Sequence, residues 1–171
     1  MTPYVALLRA VNVSGTGMLP MATLRSFGED CGFDQVRTFI ASGNLLFRSD
    51  SSEEAVRNAL TERVAAFFDK PVPVFVRSAA DMRATVAANP FTDDKPSRVM
   101  AYFLDDEPHQ AMIDEARDVG GERLALGPRG VYVSYGEGIA KSKLKIPTIR
   151  KGTSRNMNSV AKMADLLEGM K

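Results

Sequence analysis

The residues best suited to chemistry crowd one end of the chain. Residues 138–171 carry Lys141, Lys143, Lys145, Arg150, Lys151, Arg155, Lys162 and Lys171 against only Asp165 and Glu168. The rest of the chain must be acidic on balance, because the formal net charge is +1. Lys141, Lys143 and Lys145 recur every second residue. An extended backbone turns all three to one side and puts Ser142 and Leu144 on the other. Arg155, Asn156 and Asn158 read as the start of a final helix, where unpaired N–H groups and a guanidinium fork suit a phosphate. Positive charge in a first helical turn is unfavourable, so Arg155 there favours an anionic partner. Asn156 and Asn158 offer amide edges that orient such a ligand. The competing explanation is a solvated face whose asparagines cap the helix.

Two other polar loops are candidates for the same site. Asn12-Val-Ser-Gly-Thr-Gly17 joins a strand to a helix, and backbone N–H groups at such a junction can cradle an anion. The loop has neither the lysine and spacing of a phosphate-binding P-loop nor a G-x-G-x-x-G pattern, since Pro20 follows three residues after Gly17. Two glycines used for backbone freedom explain it equally well. Ser42-Gly43-Asn44 is ordinary turn material, although Ser42 and Asn44 can point polar tips at a ligand. The candidate ligand-binding residues are therefore Asn12, Ser42, Asn44, Lys141, Lys143, Arg155, Asn156 and Asn158.

No catalytic set can be assembled, and the catalytic residues stay unknown. The one histidine, His109, sits at a predicted helix start beside Asp105, Asp106 and Glu107, and the one cysteine is Cys31. Together they give no zinc set, and no G-x-S-x-G elbow supports a Ser-His-Asp arrangement. Asp93-Asp94 reads as a solvated loop, and no carboxylate pair divides into acid and base. No metal or cofactor is expected.

The chain has 171 residues, 44% of them apolar and 25% charged, near the soluble average. A chain of this length buries roughly 70% of its unfolded surface and needs no disulfide staples. No apolar run approaches the roughly 20 residues that span a bilayer, and the opening apolar stretch lacks a basic leader, so a cytoplasmic location is expected. Near-neutral charge argues against a surface that grips nucleic acid all over. The sheet aromatics needed to stack RNA bases are also lacking from the first strands.

Hydrophobic periodicity positions these residues. Residues 4–9 read as a buried strand. A helix opens near Pro20, with Met21, Leu24, Phe27 and Cys31 on one face. Strands follow at 36–40 and 45–48. Ser51 and Glu54 suggest a capping box for a helix bearing Val56, Leu60 and Val64, and 72–77 is the next strand. This β-α-β-β-α-β order is that of a ferredoxin-like unit. The second half reads α-β-α-β-β-α: a helix after Ser78, a strand at 98–104, a helix from Pro108 to about Val119, a hairpin around Gly127-Pro128-Arg129-Gly130, and a helix near 155–168. It lacks a final strand. The expectation is an α+β protein of two ferredoxin-like lobes, residues 1–90 and 91–171, forming one body with antiparallel or mixed sheets covered by helices.

The chain resembles the family known as domain of unknown function 1697. The resemblance is carried by Tyr4-Val-Ala-Leu-Leu-Arg-Ala-Val-Asn-Val, Phe39-Ile-Ala-Ser-Gly-Asn-Leu-Leu-Phe, Ala88-Asn-Pro-Phe, Gly138-Ile-Ala-Lys-Ser-Lys-Leu and Thr153-Ser-Arg-Asn-Met-Asn-Ser-Val. It implies a ferredoxin-like α/β fold and supplies no activity. Residues and resemblance together give three expectations. The first is binding of a phosphate-bearing ligand, nucleotide or nucleic acid by the basic segment. The second is a small-molecule enzyme using Lys143 as base or electrostatic clamp. The third is a module that pairs as a homodimer through strand edges.

Overall fold

A computed structural model describes residues 1–12 and 18–170 of the chain. Most of the glycine-rich loop, residues 13–17, and the anion cradle expected there lie outside the described residues. Two compact units emerge, Met1–Ala80 with Met163–Lys171, and Asp81–Lys162.

The first unit is built from β1 (Thr2–Leu8), α1 (Met21–Asp30), β2 (Asp34–Thr38), β3 (Asn44–Ser49), α2 (Glu53–Phe68) and β4 (Val74–Ser78). Its sheet has the order β2-β3-β1-β4, antiparallel throughout. β1 is central and almost wholly apolar, and it is buried from Tyr4 to Leu8. α1 and α2 lay Leu24, Val56, Leu60 and Val64 against Ala6, Leu45, Phe47 and Val76 on one face of the sheet. The cap of α2 is Ser52, one residue later than the sequence suggests. Its Oγ accepts the Ala55 N–H at 3.1 Å, and Glu53 and Glu54 favour the positive helix end. Ser51 is engaged elsewhere, accepting the Tyr4 hydroxyl on its carbonyl and donating its N–H to Ser49 Oγ.

The second unit repeats the plan. α3 (Ala79–Ala87) follows β4 and lies in this unit from Asp81 on; then come β5 (Val99–Phe103), α4 (Gln110–Asp114), β6 (Arg123–Gly127), β7 (Gly130–Ser134), β8 (Thr153–Asn156) and the start of α5 (Met157–Glu168), whose residues from Met163 on belong to the first unit. The sheet order β6-β7-β5-β8 is again antiparallel and has the same connectivity. The protein is thus α+β, with two four-stranded antiparallel sheets consistent with two ferredoxin-like lobes. Among the described residues no helix is long and apolar enough to cross a membrane.

Three details of the sequence reading need correction. The second lobe does not lack its last strand. Thr153–Asn156 pairs along β5, with Ala101 opposite Arg155, and satisfies backbone groups that would leave β5 an open edge. Arg155 is therefore a strand residue, and the argument from an unfavourable first-turn cation lapses. α5 begins only at Met157, because Asn156 is its cap: Asn156 Oδ1 accepts the Ser159 N–H at 2.9 Å. α4 is also far shorter than expected. Asp118 takes a positive φ of 56°, and Arg117 leaves the helix to exchange backbone hydrogen bonds with Lys145.

What the second lobe does lack is a helical crossover. β3 reaches β4 through α2, whereas β7 reaches β8 through residues 135–152, which hold only two single 3-10 turns, Ile139–Lys141 and Thr148–Lys151. Leu144, Ile146 and Ile149 from this segment pack with Leu104, Met112, Val131 and Val133, in place of a helix face. Gly152 closes the crossover against β5; a Cβ there would stand 2.4 Å from the Phe103 carbonyl oxygen.

Candidate functional site

The irregular crossover is where the lysines are displayed. From Lys141 to Ile146 burial alternates: the three lysines are exposed, Ser142 and Leu144 are half-buried, and Ile146 is buried. The apolar residues anchor the segment on the core, and the period of two leaves the ammonium groups in solvent. Gly136 and Gly138 shape its start with positive φ values of 50° and 115°. Arg98 holds that turn by donating to the Gly136 carbonyl at 2.6 Å.

Two ties fix the segment. Lys145 and Arg117 bind each other's backbone at 2.8 and 3.0 Å. Ser142 Oγ donates to Glu122 Oε1 at 2.5 Å, and the other carboxylate oxygen accepts the Gly120 N–H at 2.6 Å. The hydrogen bond from Ser142, followed by backbone bonds, holds the Glu122 carboxyl below the usual carboxylate range. A carboxylate with both oxygens engaged is a fixed negative charge near neutral pH.

These parts enclose a cleft of about 530 Å³, lined by Gly120, Gly121, Glu122, Tyr135, Gly136, Glu137, Lys141, Ser142 and Lys143. The Gly120–Gly121 wall is backbone, and a Cβ on Gly121 would meet nothing within 4 Å. Tyr135 stands in the wall with its side chain packed into the core. Its hydroxyl lies 2.6 Å from that of Tyr102, and burial first, then this bond, pushes its ionisation far above the ordinary range. Burial likewise raises Tyr102, against the lowering influence of hydrogen bonds from Tyr135 and Ser154. Both phenols stay protonated and serve as hydrogen-bonding groups. A larger hollow of about 630 Å³, lined by Asp114, Glu115, Ala116, Arg117, Pro147 and Lys151, is more open and holds none of the expected residues.

Of the eight residues singled out from the sequence, the cleft brings together Lys141 and Lys143. Arg155 is 7% exposed on β8; its Nη1 donates to Thr153 Oγ1 and to the Ser154 carbonyl, both at 2.8 Å. Burial pulls its ionisation down to about 10. Asn156 caps α5, and Asn158 is exposed on its first turn.

The first-lobe candidates act as loop clasps. Asn12 Nδ2 donates to the carbonyls of Leu19 and Ala41 at 2.8 and 2.9 Å, and its Oδ1 accepts the Leu19 N–H. This amide pins the two ends of the glycine-rich loop to the turn after β2, and Asn12 holds the left-handed conformation that asparagine tolerates, with φ of 56°. Asn44 is fully buried and donates to the Phe39 carbonyl and to Ser42 Oγ, both at 2.9 Å.

The sequence reading missed Glu122 and the Gly120–Gly121 wall. Glu122 belongs to no motif, and the only local signal is the glycine pair before β6. It also missed a correspondence between the lobes. Arg77 stands opposite Val5 on the central β1, just as Arg155 stands opposite Ala101 on the central β5. Both arginines are buried, and each donates Nη1 to the carbonyl of the preceding residue, at 2.9 and 2.8 Å. The likeness of the two sheets therefore extends to a residue, which becomes visible only in strand register.

Residues 1–132 match the family described as Protein of unknown function (DUF1697). The chain belongs to this family. The matched residues include Gly120, Gly121 and Glu122 and end before Tyr135, so the family match covers one wall of the cleft. Among solved structures the chain is similar to a conserved bacterial protein from Streptococcus pneumoniae, with 25% identity and a TM-score of 0.81 over 97% of this chain and 98% of that one. No curated protein matches the chain. The structural similarity supports the two-sheet fold, and the family brings no chemistry to the cleft.

Proposed function

We propose that this family member binds a small phosphate-bearing ligand in the cleft beside residues 138–145. One observation carries the reading: Lys141 and Lys143 both line a concavity of about 530 Å³, inside the ~300–1,000 Å³ range of small-ligand sites. The anchored segment limits the conformations its backbone can take, which lowers the entropy lost on binding. A long polynucleotide is a poorer fit, because Arg155 is a buried β8 residue and Asn156 is the α5 cap, while the lysines flank a hollow.

Isothermal titration with inorganic pyrophosphate, a nucleoside monophosphate and a sugar phosphate tests this. The expected result is saturable binding of at least one probe, weakened about tenfold by Lys141→Ala with Lys143→Ala, a change of about 1.4 kcal/mol. No binding of any probe at millimolar concentration, or equal affinity in the double variant, overturns the proposal.

The enzyme reading, with Lys143 as base or electrostatic clamp, uses the same cleft. Chemical change of a bound probe on prolonged incubation distinguishes it from simple binding.

A further inference from the structure

The cleft is not a simple basic patch. The described charged residues lining it are Lys141, Lys143, Glu122 and Glu137, two cations and two anions. A bare polyanion entering this field gains attraction from the lysines and meets repulsion from the carboxylates. Glu122 is not free to swing away, because Ser142 Oγ and the Gly120 N–H grip both of its oxygens. Each of those oxygens keeps acceptor capacity beyond these hydrogen bonds. A ligand that placed no donor there would leave a fixed carboxylate partly desolvated, which is costly.

Building on the proposed phosphate site, we infer that the cleft selects a two-ended ligand. One end is a phosphate ester, met by Lys141 and Lys143. The other carries hydrogen-bond donors, a vicinal diol or an amino edge as in a nucleoside phosphate, and is received by Glu122. The flat backbone of Gly120 and Gly121 leaves room for a planar or ring-shaped middle. Glu122 is then the specificity-determining residue, and the Ser142 clasp is what aims it.

The test compares AMP with inorganic pyrophosphate on the wild-type chain and on Glu122→Gln. Glutamine keeps the shape and one acceptor while removing the charge. The wild type should bind AMP more tightly than pyrophosphate. In Glu122→Gln, AMP affinity should fall about tenfold while pyrophosphate affinity rises by several fold, so that the two move in opposite directions. Ser142→Ala, which frees the carboxylate without removing it, should weaken AMP alone. If both probes tighten together in Glu122→Gln, or if pyrophosphate binds the wild type as well as AMP, the two-ended inference fails while the phosphate site stands. Absence of binding by both probes sinks the phosphate site itself.

Discussion

β3 and β7 occupy the same place in their sheets, and both must hand the chain across to a strand on the far edge. After β3 the crossover is α2, sixteen residues with a side-chain cap and three buried anchors, Val56, Leu60 and Val64. After β7 it is residues 135–152, in which Leu144, Ile146 and Ile149 do the packing and no α-helix forms. A helix satisfies its own backbone internally and presents a uniform outer surface. The irregular crossover instead borrows partners, Glu122 for Ser142 and Arg117 for Lys145, and this borrowing opens a hollow beside charged side chains. One lobe has its crossover closed and the other has it open, which is why, among the described residues, the cleft that gathers the lysines lies on the second.

The largest effect that sharpens this contrast is in the packing. Leu60→Ala should destabilise the protein by about 3 kcal/mol, because a fully buried leucine leaves a cavity under a rigid helix. Ile146→Ala should cost less, about 2 kcal/mol, since a segment without helical hydrogen bonds relaxes into the space. Urea denaturation measures both, and equal costs would erase the distinction between the crossovers. Next, Asn44→Ala should cost about 2 kcal/mol by removing a fully buried amide that donates to the part-buried Phe39 carbonyl. By contrast, Lys141→Ala with Lys143→Ala should leave stability within about 0.5 kcal/mol, as expected of exposed side chains, and act on ligand affinity alone. A large loss of stability there would make the lysines structural.

The smallest effect concerns protonation. Glu122 has a folded ionisation below its unfolded one, so the contribution of its hydrogen bonds is present at neutral pH and is lost as pH falls through the folded value. Ser142→Ala should move that ionisation up towards the ordinary glutamate value of about 4.3. Side-chain carboxyl NMR across an acid titration follows it, and an unmoved midpoint would show that Ser142 does not hold the carboxylate.

The first lobe was nearly all legible because its elements follow local rules: an apolar β1, an amphipathic α1 and a capped α2. The second lobe was legible except where pairing overrides propensity. Of Thr153, Ser154, Arg155 and Asn156 only Thr153 has strong strand preference, they adjoin a strong helical pattern, and the open edge of β5 makes them a strand. Lys141 and Lys143 could be chosen from spacing alone. Glu122 could not, because it meets Ser142 across 20 positions of sequence with no motif at either end. Arg77 and Arg155 corresponded only once strand register aligned them.

The phenol pair at the cleft has a practical corollary. The chain has no tryptophan and four tyrosines. Only Tyr4 belongs to the first lobe; Tyr102, Tyr132 and Tyr135 belong to the second. Three of the four residues that can give this protein ultraviolet emission thus lie in the lobe that carries the cleft, and one of them, Tyr135, lines it. The molecule carries its own optical reporter, and quenching of that emission can be watched during a titration with no label attached.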